Sequence, residues 1–226
     1  MYWEEDTQES NNETENNIVD VSFKVNCKKI AADHAYDLFE AILKKIPSIS
    51  DIDNLAIHSI HGAESGAGWE RPQTEIHLSK RTRFAIRTPV EHSEKFFALD
   101  GEVLSVGKYE MTLSKPNIKK LISTDTLFCR AVVISNNKDE EEFLKSINES
   151  LSSMNIHVKK MLCGKEHIIK TPTENLVGKT LLITDLEKKD SIKIQELGIG
   201  IGKLYGCGIF LPHKSIAPVA VPKNSE

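Results

Sequence analysis

Eight histidines are spread along a chain of 226 residues. Histidine is the side chain whose ordinary pKa lets it give or take a proton near neutral pH. His34 stands where a helix begins, in 33-DHAYDLFEAI-42. The positive end of a helix keeps an imidazole neutral, and so able to accept a proton. Tyr36 follows closely and could orient a phosphate or a ribose. His58 and His61 lie in the alternating stretch 55-LAIHSIHG-62. At that spacing on a strand they point to opposite faces, so they cannot be neighbours in one site. His61 enters the loop 62-GAESGAGW-69, where functional groups tend to gather, although a histidine satisfied at a sheet edge fits the same pattern. His167 and His213 stand beside basic residues and read as facing an anionic partner rather than moving protons.

Cations form a second constellation. Lys80, Arg81, Arg83 and Arg87 fall close together with no acid among them, and on a strand Arg81, Arg83 and Arg87 share a face. Lys159, Lys160, Lys165 and Lys170 surround a later strand pair, and Arg130 follows the aromatic Phe128. Such rows can track a phosphate backbone, with an affinity that falls steeply with salt. A single surface lysine is ordinarily only solvated; clustering in both halves favours a groove. Trp69, at the loop end, either stacks on a base or closes the core, and the core is the stronger reading.

Glycine is the third signal. Five of the 12 glycines, Gly198, Gly200, Gly202, Gly206 and Gly208, fall in 198-GIGIGKLYGCGIF-210. Glycine runs cost conformational entropy on folding, so the bare backbone must serve something there. It is not a P-loop, because Leu204 stands after Lys203 where Ser or Thr is required. It is not a dinucleotide fingerprint, because it follows a helix and opens a strand. Two readings stay open: a helix-to-strand connection, or exposed amides and Lys203 packed against a phosphate backbone.

No metal or other cofactor is expected. Cys27, Cys129, Cys163 and Cys207 lie far apart with no CxxC spacing, and no His, Asp and Glu set has ligand spacing. The cysteines read as reduced and mostly buried, which points to the cytoplasm. No apolar run approaches the roughly 18 residues of a membrane helix, and the acidic N-terminus is unlike a signal peptide. The net charge of −4 is unevenly placed. Residues 1–17 hold six acids and no Lys or Arg and read as a flexible tail, which leaves the rest slightly positive. A polyanionic partner is allowed.

These groups need elements to hold them. Alternation predicts a strand over 18–25 and another over 55–62, with one or two over 74–89. Helical spacing of Ala35, Leu38, Phe39, Ile42 and Ile46 predicts a helix over 33–46, capped by Asp33 and stopped at Pro47. A short helix over 89–99 and a hairpin over 102–114, turning at Gly107, complete the first half. The second half reads as a strand at 127–134, a helix at 139–154, and strands near 156–163, 166–170 and 178–185. A short helix at 190–198 and a last strand at 207–212 follow. Two βαββαβ runs predict an α+β chain of tandem ferredoxin-like (RRM-like) domains with a C-terminal glycine-rich loop. The domains are 18–122 and 123–216, with 217–226 a flexible tail.

With these motifs in order, the chain resembles the RAMP superfamily of CRISPR-associated proteins. It looks most like the endoribonucleases that cut CRISPR repeat transcripts into guide RNAs (the Cas six family), and among them the MYXAN subtype. The likeness is carried by 33-DHAYDLFEAI-42, 58-HSIHGAESGAGWERP-72, 125-DTLFCR-130, 161-MLCGKEHIIKTP-172 and 206-GCGIFLPHK-214, and spans nearly all of 18–216. It implies metal-independent cleavage in which the ribose 2′-OH attacks the adjacent phosphate, leaving 2′,3′-cyclic phosphate and 5′-OH ends. It implies that the general base is His34, and the residues themselves add Tyr36 and His61 as further catalytic candidates; the acid and the phosphate-stabilising cation stay unassigned. For such an RNA, the basic clusters and the glycine loop give the expected contacts as Arg81, Arg83, Arg87, Arg130, Lys159, Lys160, Lys165, His167, Gly198, Gly200, Gly202, Lys203, Gly206, Gly208 and Lys214. The implied partners are a CRISPR repeat RNA with a stem-loop and other subunits of a guide-RNA effector complex, with no membrane. Two rivals are a non-catalytic RNA-binding member of the same superfamily and a small protein-interaction module.

Overall fold

In the computed structural model, which describes residues 17–62, 74–134 and 139–214, the alternation at the start becomes strand β1, Ile18–Asn26. A short strand β2, Lys29–Ala31, precedes helix α1, Ala35–Lys45. Strand β3 is only Ala56–Ile57, β4 is Glu75–His77 and β5 is Arg83–Pro89. A 3-10 helix, Val90–Leu99, leads into the hairpin of β6, Val103–Val106, and β7, Tyr109–Lys120. The second half runs β8, Leu127–Val132; α2, Glu140–Ser153; β9, Lys160–Lys170; β10, Asn175–Thr184; α3, Lys188–Leu197; and β11, Leu211–Pro212.

Two sheets organise these elements. The first has the order β3-β5-β1-β7-β6 and the second β11-β8-β10-β9. Strand β6 aside, the first places its fourth strand, first strand, third strand and second strand side by side, as the second does. That is the ferredoxin-like arrangement, repeated. In the first unit the inward residues Val21, Phe23, Phe84, Ile86, Met111 and Leu113 pack under Leu38 and Ile42 of α1. In the second, Leu127, Cys129, Leu181 and Ile183 pack under Phe143, Ile147 and Leu151 of α2 and Ile194 of α3. The i, i+4, i+8 spacing of those α2 residues puts them on one face, and Asp139 caps the helix by accepting from the Glu142 amide at 2.8 Å.

Several boundaries differ from expectation. His34, not Asp33, occupies the N-cap of α1, and Asp33 instead accepts from the Lys170 amide of the second unit at 3.4 Å. The strand expected over 55–62 pairs only at Ala56 and Ile57, because the chain then leaves the sheet to meet other elements. The two strands expected near 156–163 and 166–170 are one, paired with β10 from Lys160 to Lys170. The strand expected at 207–212 is short because its first half belongs to the glycine loop.

The units meet through two small apolar clusters. Ala35 of α1 joins Ala131, Val133, Ile169, Leu176 and Cys207. Ile18 and Leu121 join Ile192 of α3. No helix among the described residues is long and apolar enough to cross a membrane.

Candidate active site and nucleic-acid interface

His34 is 1% exposed. Its Nδ1–H donates to the Ala31 carbonyl at 2.8 Å, and its Nε2 accepts from the Ile60 amide at 3.0 Å. Those two bonds fix the neutral Nδ1–H tautomer. They also occupy both ring nitrogens, so in this structure the expected general base faces protein rather than solvent. What His34 holds is the segment 58–62. Ile60, on which its Nε2 sits, is fully buried, and His61 beyond it is exposed.

Tyr36 is half-buried in the first turn of α1. Its ring lies 6.2 Å from that of Tyr205 in the glycine loop, and Phe39 meets Tyr205 edge-on at 5.6 Å. Burial, and then the Glu40 carboxylate, push the Tyr36 phenol above its ordinary pKa, so it is a hydrogen-bond donor at neutral pH. Gly206 stands against Ser59: a Cβ there would lie 2.0 Å from Ser59 Oγ and 3.1 Å from its backbone nitrogen. The start of α1, the segment 58–62 and the glycine loop are thus one cluster at the junction of the two units. Sequence reasoning missed Tyr205 and Ser59. The tyrosine set inside a glycine run was the signal for the first; nothing local marked the second.

The glycine loop itself is largely occupied by protein. All five glycines have φ between +64 and +84. The amides of Gly198, Ile199, Ile201, Tyr205, Gly206, Cys207 and Gly208 donate to protein carbonyls. A Cβ on Gly200 would lie 2.2 Å from the Val133 carbonyl oxygen, so only a bare backbone fits. Lys203 donates to the Leu197 carbonyl at the end of α3, and burial lowers its pKa. At these positions the expected run of amides and lysine is bonded within the second unit, and Tyr205 and Gly206 carry the loop's contact to the first.

Arg87, expected to face RNA, is buried instead. The face it shares with Arg83 is covered at its position, leaving the side chain 3% exposed. Its Nε and one terminal nitrogen donate to Asp20 Oδ1 and Oδ2 at 2.8 and 3.0 Å, and the other terminal nitrogen to the carbonyls of Gln195 and Phe210 at 2.9 and 3.0 Å. His58 Nε2 lies 3.4 Å from Asp20 Oδ1 and makes no hydrogen bond. Burial alone would raise the Asp20 carboxyl; His58 and Arg87 beside it more than offset that and hold it well below the usual range.

Other expected cations stay outside. Arg81 and Arg83 are exposed, and Arg83 lies directly across from Lys24 on the outer face of the first sheet. Phe128, half-buried, lies in register with Leu211, Leu182 and, through it, Leu162, forming an apolar row across the face of the second sheet away from α2 and α3. Arg130 and Lys160 flank that row, His213 packs its ring 5.8 Å from Phe128, and Lys160 pairs with Asp185 at 2.9 Å. Lys159, Lys165 and Lys214 are exposed and His167 half-buried. Phe210, whose carbonyl meets Arg87, immediately precedes β11, so the edge of the second sheet abuts the outer face of the first. Trp69 lies outside the described residues.

Cys129 is unsuited to nucleophilic work, since burial pushes its thiol up to about 12. Among the described residues no group of three His, Cys, Asp or Glu could hold a metal ion.

Residues 19–215 match the family model described as Cas6 Crispr. The chain is 25% identical over 195 residues to the CRISPR-associated endonuclease Cas6 of Myxococcus xanthus (strain DK1622), covering 86% of this chain and 81% of that one. Among solved structures it is similar to a CRISPR-associated protein Cas6, with a TM-score of 0.60 and 13% identity over 87% of this chain and 100% of the other. It is also similar to a RAMP protein described as binding different RNA substrates, with a TM-score of 0.58 and 14% identity over 85% and 98%. A Cas6-related protein from Pyrococcus furiosus gives a TM-score of 0.55 at 13% identity over 86% and 98%. At these identities the structures share the tandem ferredoxin-like fold.

Proposed function

The chain belongs to the Cas6 CRISPR family and is an endoribonuclease acting on CRISPR RNA, and from that premise we propose which of its residues do the work and how. The observation that carries the reading is the junction itself. There the His34-held segment 58–62, Tyr36 and the Tyr205–Gly206 turn come together, with His61 exposed beside them.

The substrate is the stem-loop of a repeat transcript. Its phosphates lie along the cationic faces of the two sheets, against Lys24 and Arg83 on the first and Arg130 and Lys160 on the second, and an unpaired base stacks on Phe128. His61 takes the proton of a ribose 2′-OH. The 2′ oxygen attacks the adjacent phosphorus, and the bond from phosphorus to the 5′ oxygen breaks. The leaving oxygen takes a proton, and the products carry a 2′,3′-cyclic phosphate and a 5′-OH. No metal takes part. Tyr36 donates to a phosphate oxygen, and Lys170, exposed at the end of β9 with its amide on Asp33, supplies positive charge. His34 acts through the segment it holds.

In this reading the chain is of the MYXAN subtype, its two units span 18–122 and 123–216, and it retains its product within an effector complex serving antiviral defence. The test is cleavage of a labelled repeat RNA in EDTA, comparing the wild type, His61→Ala and a substrate with a 2′-deoxy sugar at the cut site. A single cut lost in both controls, with binding retained, supports the mechanism. Cutting that survives His61→Ala overturns the assignment of the base, and cutting that EDTA abolishes overturns the absence of a metal.

A further inference from the structure

Arg87 is withdrawn from RNA by burial, yet its four hydrogen bonds join three places that the proposed reaction needs in register. The first two are the stems of the glycine loop. Gln195 precedes the loop and Phe210 follows it, and one guanidinium nitrogen holds both carbonyls, at 2.9 and 3.0 Å. The third is Asp20 on β1, gripped through both carboxylate oxygens. Asp20 Oδ1 is also the group that faces the buried Nε2 of His58, whose amide in turn donates to Ala85 on the strand that carries Arg87. From His58 the chain runs to Ser59 against Gly206, to Ile60 on His34, and to His61. The glycine loop and the His61 segment therefore approach each other from a common base, and that base is Arg87.

We infer that Arg87 is a positioning residue for RNA cleavage: with Asp20 it sets the glycine-loop turn of the second unit against the segment 58–61 of the first. Its chemistry suits this. A planar guanidinium offers five N–H groups in a fixed fork, which permits a two-pronged carboxylate bond and two carbonyl bonds at once. A lysine ammonium on a flexible stem keeps the charge but cannot reproduce that geometry. The inference rests on the placement of the reacting groups at this junction. Its test is read against the wild-type cleavage rate, so it stands or falls separately from the identity of the base.

The experiment compares Arg87→Met, Arg87→Lys and Asp20→Asn in the full chain. It measures thermal unfolding, the Kd for repeat RNA at several salt concentrations, and the single-turnover cleavage rate at saturating enzyme. If Arg87→Met does not fold, the apolar pair Asp20→Leu with Arg87→Met removes both charges together and keeps the comparison. In folded variants the rate is expected to fall about tenfold or more, since small misplacements of reacting groups are costly. The Kd should stay within about threefold and the salt slope should not change, because no phosphate contact is lost. Arg87→Lys should fall between Arg87→Met and the wild type. A folded variant cleaving within about twofold of the wild type overturns the inference. So does a Kd that weakens in step with the rate while the salt slope drops by about one, which is the signature of a direct phosphate contact.

Discussion

Replacing His34 by alanine separates the two roles a histidine at this position can have. The ring makes two hydrogen bonds, to the Ala31 carbonyl and from the Ile60 amide, in a place that is 1% exposed. Alanine leaves both partners unsatisfied and opens a small cavity. A buried polar group left without its partner costs about 1–3 kcal/mol, so two of them cost about 2–6 kcal/mol before the cavity is counted, a large share of the stability of a small protein. His61 is exposed, and His61→Ala should cost far less stability than His34→Ala. The cleavage assay should rank the two in the opposite order. Losing a general base lowers the rate about 10²–10⁴-fold, whereas His34→Ala, assayed in the cold where it remains folded, should lose only about tenfold, through displacement of the segment 58–62 that the ring holds. Urea unfolding and single-turnover cleavage of both variants form the test. A His34→Ala protein that unfolds at the wild-type urea concentration and yet cannot cleave would refute the structural reading and restore His34 as the base.

Three further outcomes follow from the geometry. Gly200→Ala, at φ +84 and 2.2 Å from the Val133 carbonyl oxygen, should lower the melting temperature markedly, because the backbone it meets cannot yield; an unchanged melting curve would contradict the requirement for a bare backbone at this position. Arg83→Gln and Arg130→Gln should each reduce the slope of log binding constant against log salt by about one, as read by filter binding across a salt series. Glu75 accepts from Tyr109 at 2.5 Å and pairs with Lys29 at 2.9 Å, and these hold its carboxyl at about 2 rather than its ordinary 4.5. Its folded pKa is depressed, so its contribution is complete above the ordinary value and is lost as the pH falls through that window. Glu75→Gln should flatten this part of the stability–pH curve, measured by chemical unfolding at each pH.

Local pattern was enough for the helices and long strands. The heptad-like apolar spacing in α2 and the alternation of β1 are properties of neighbouring residues, so the sequence displays them directly. The tandem βαββαβ order followed, and with it the fold and the family likeness. The glycine loop was also legible, since only a demand on the backbone accounts for five glycines so close together. What that demand was could not be read, because the atoms a Cβ would strike belong to Val133 and Ser59, far away in the chain.

The same reason governs the site. That His34, Tyr36 and His61 were the residues to examine is written in their types and places. Which of them reaches solvent was decided by the Ile60 amide, brought onto His34 Nε2 by tertiary folding. Arg83 and Arg87 share one strand face and look alike in sequence. Docking of the second unit covers one and not the other, through the carbonyls of Gln195 and Phe210. A side chain's identity is local, but its burial and its hydrogen-bond partners are set by residues remote in sequence, and only the folded chain supplies them.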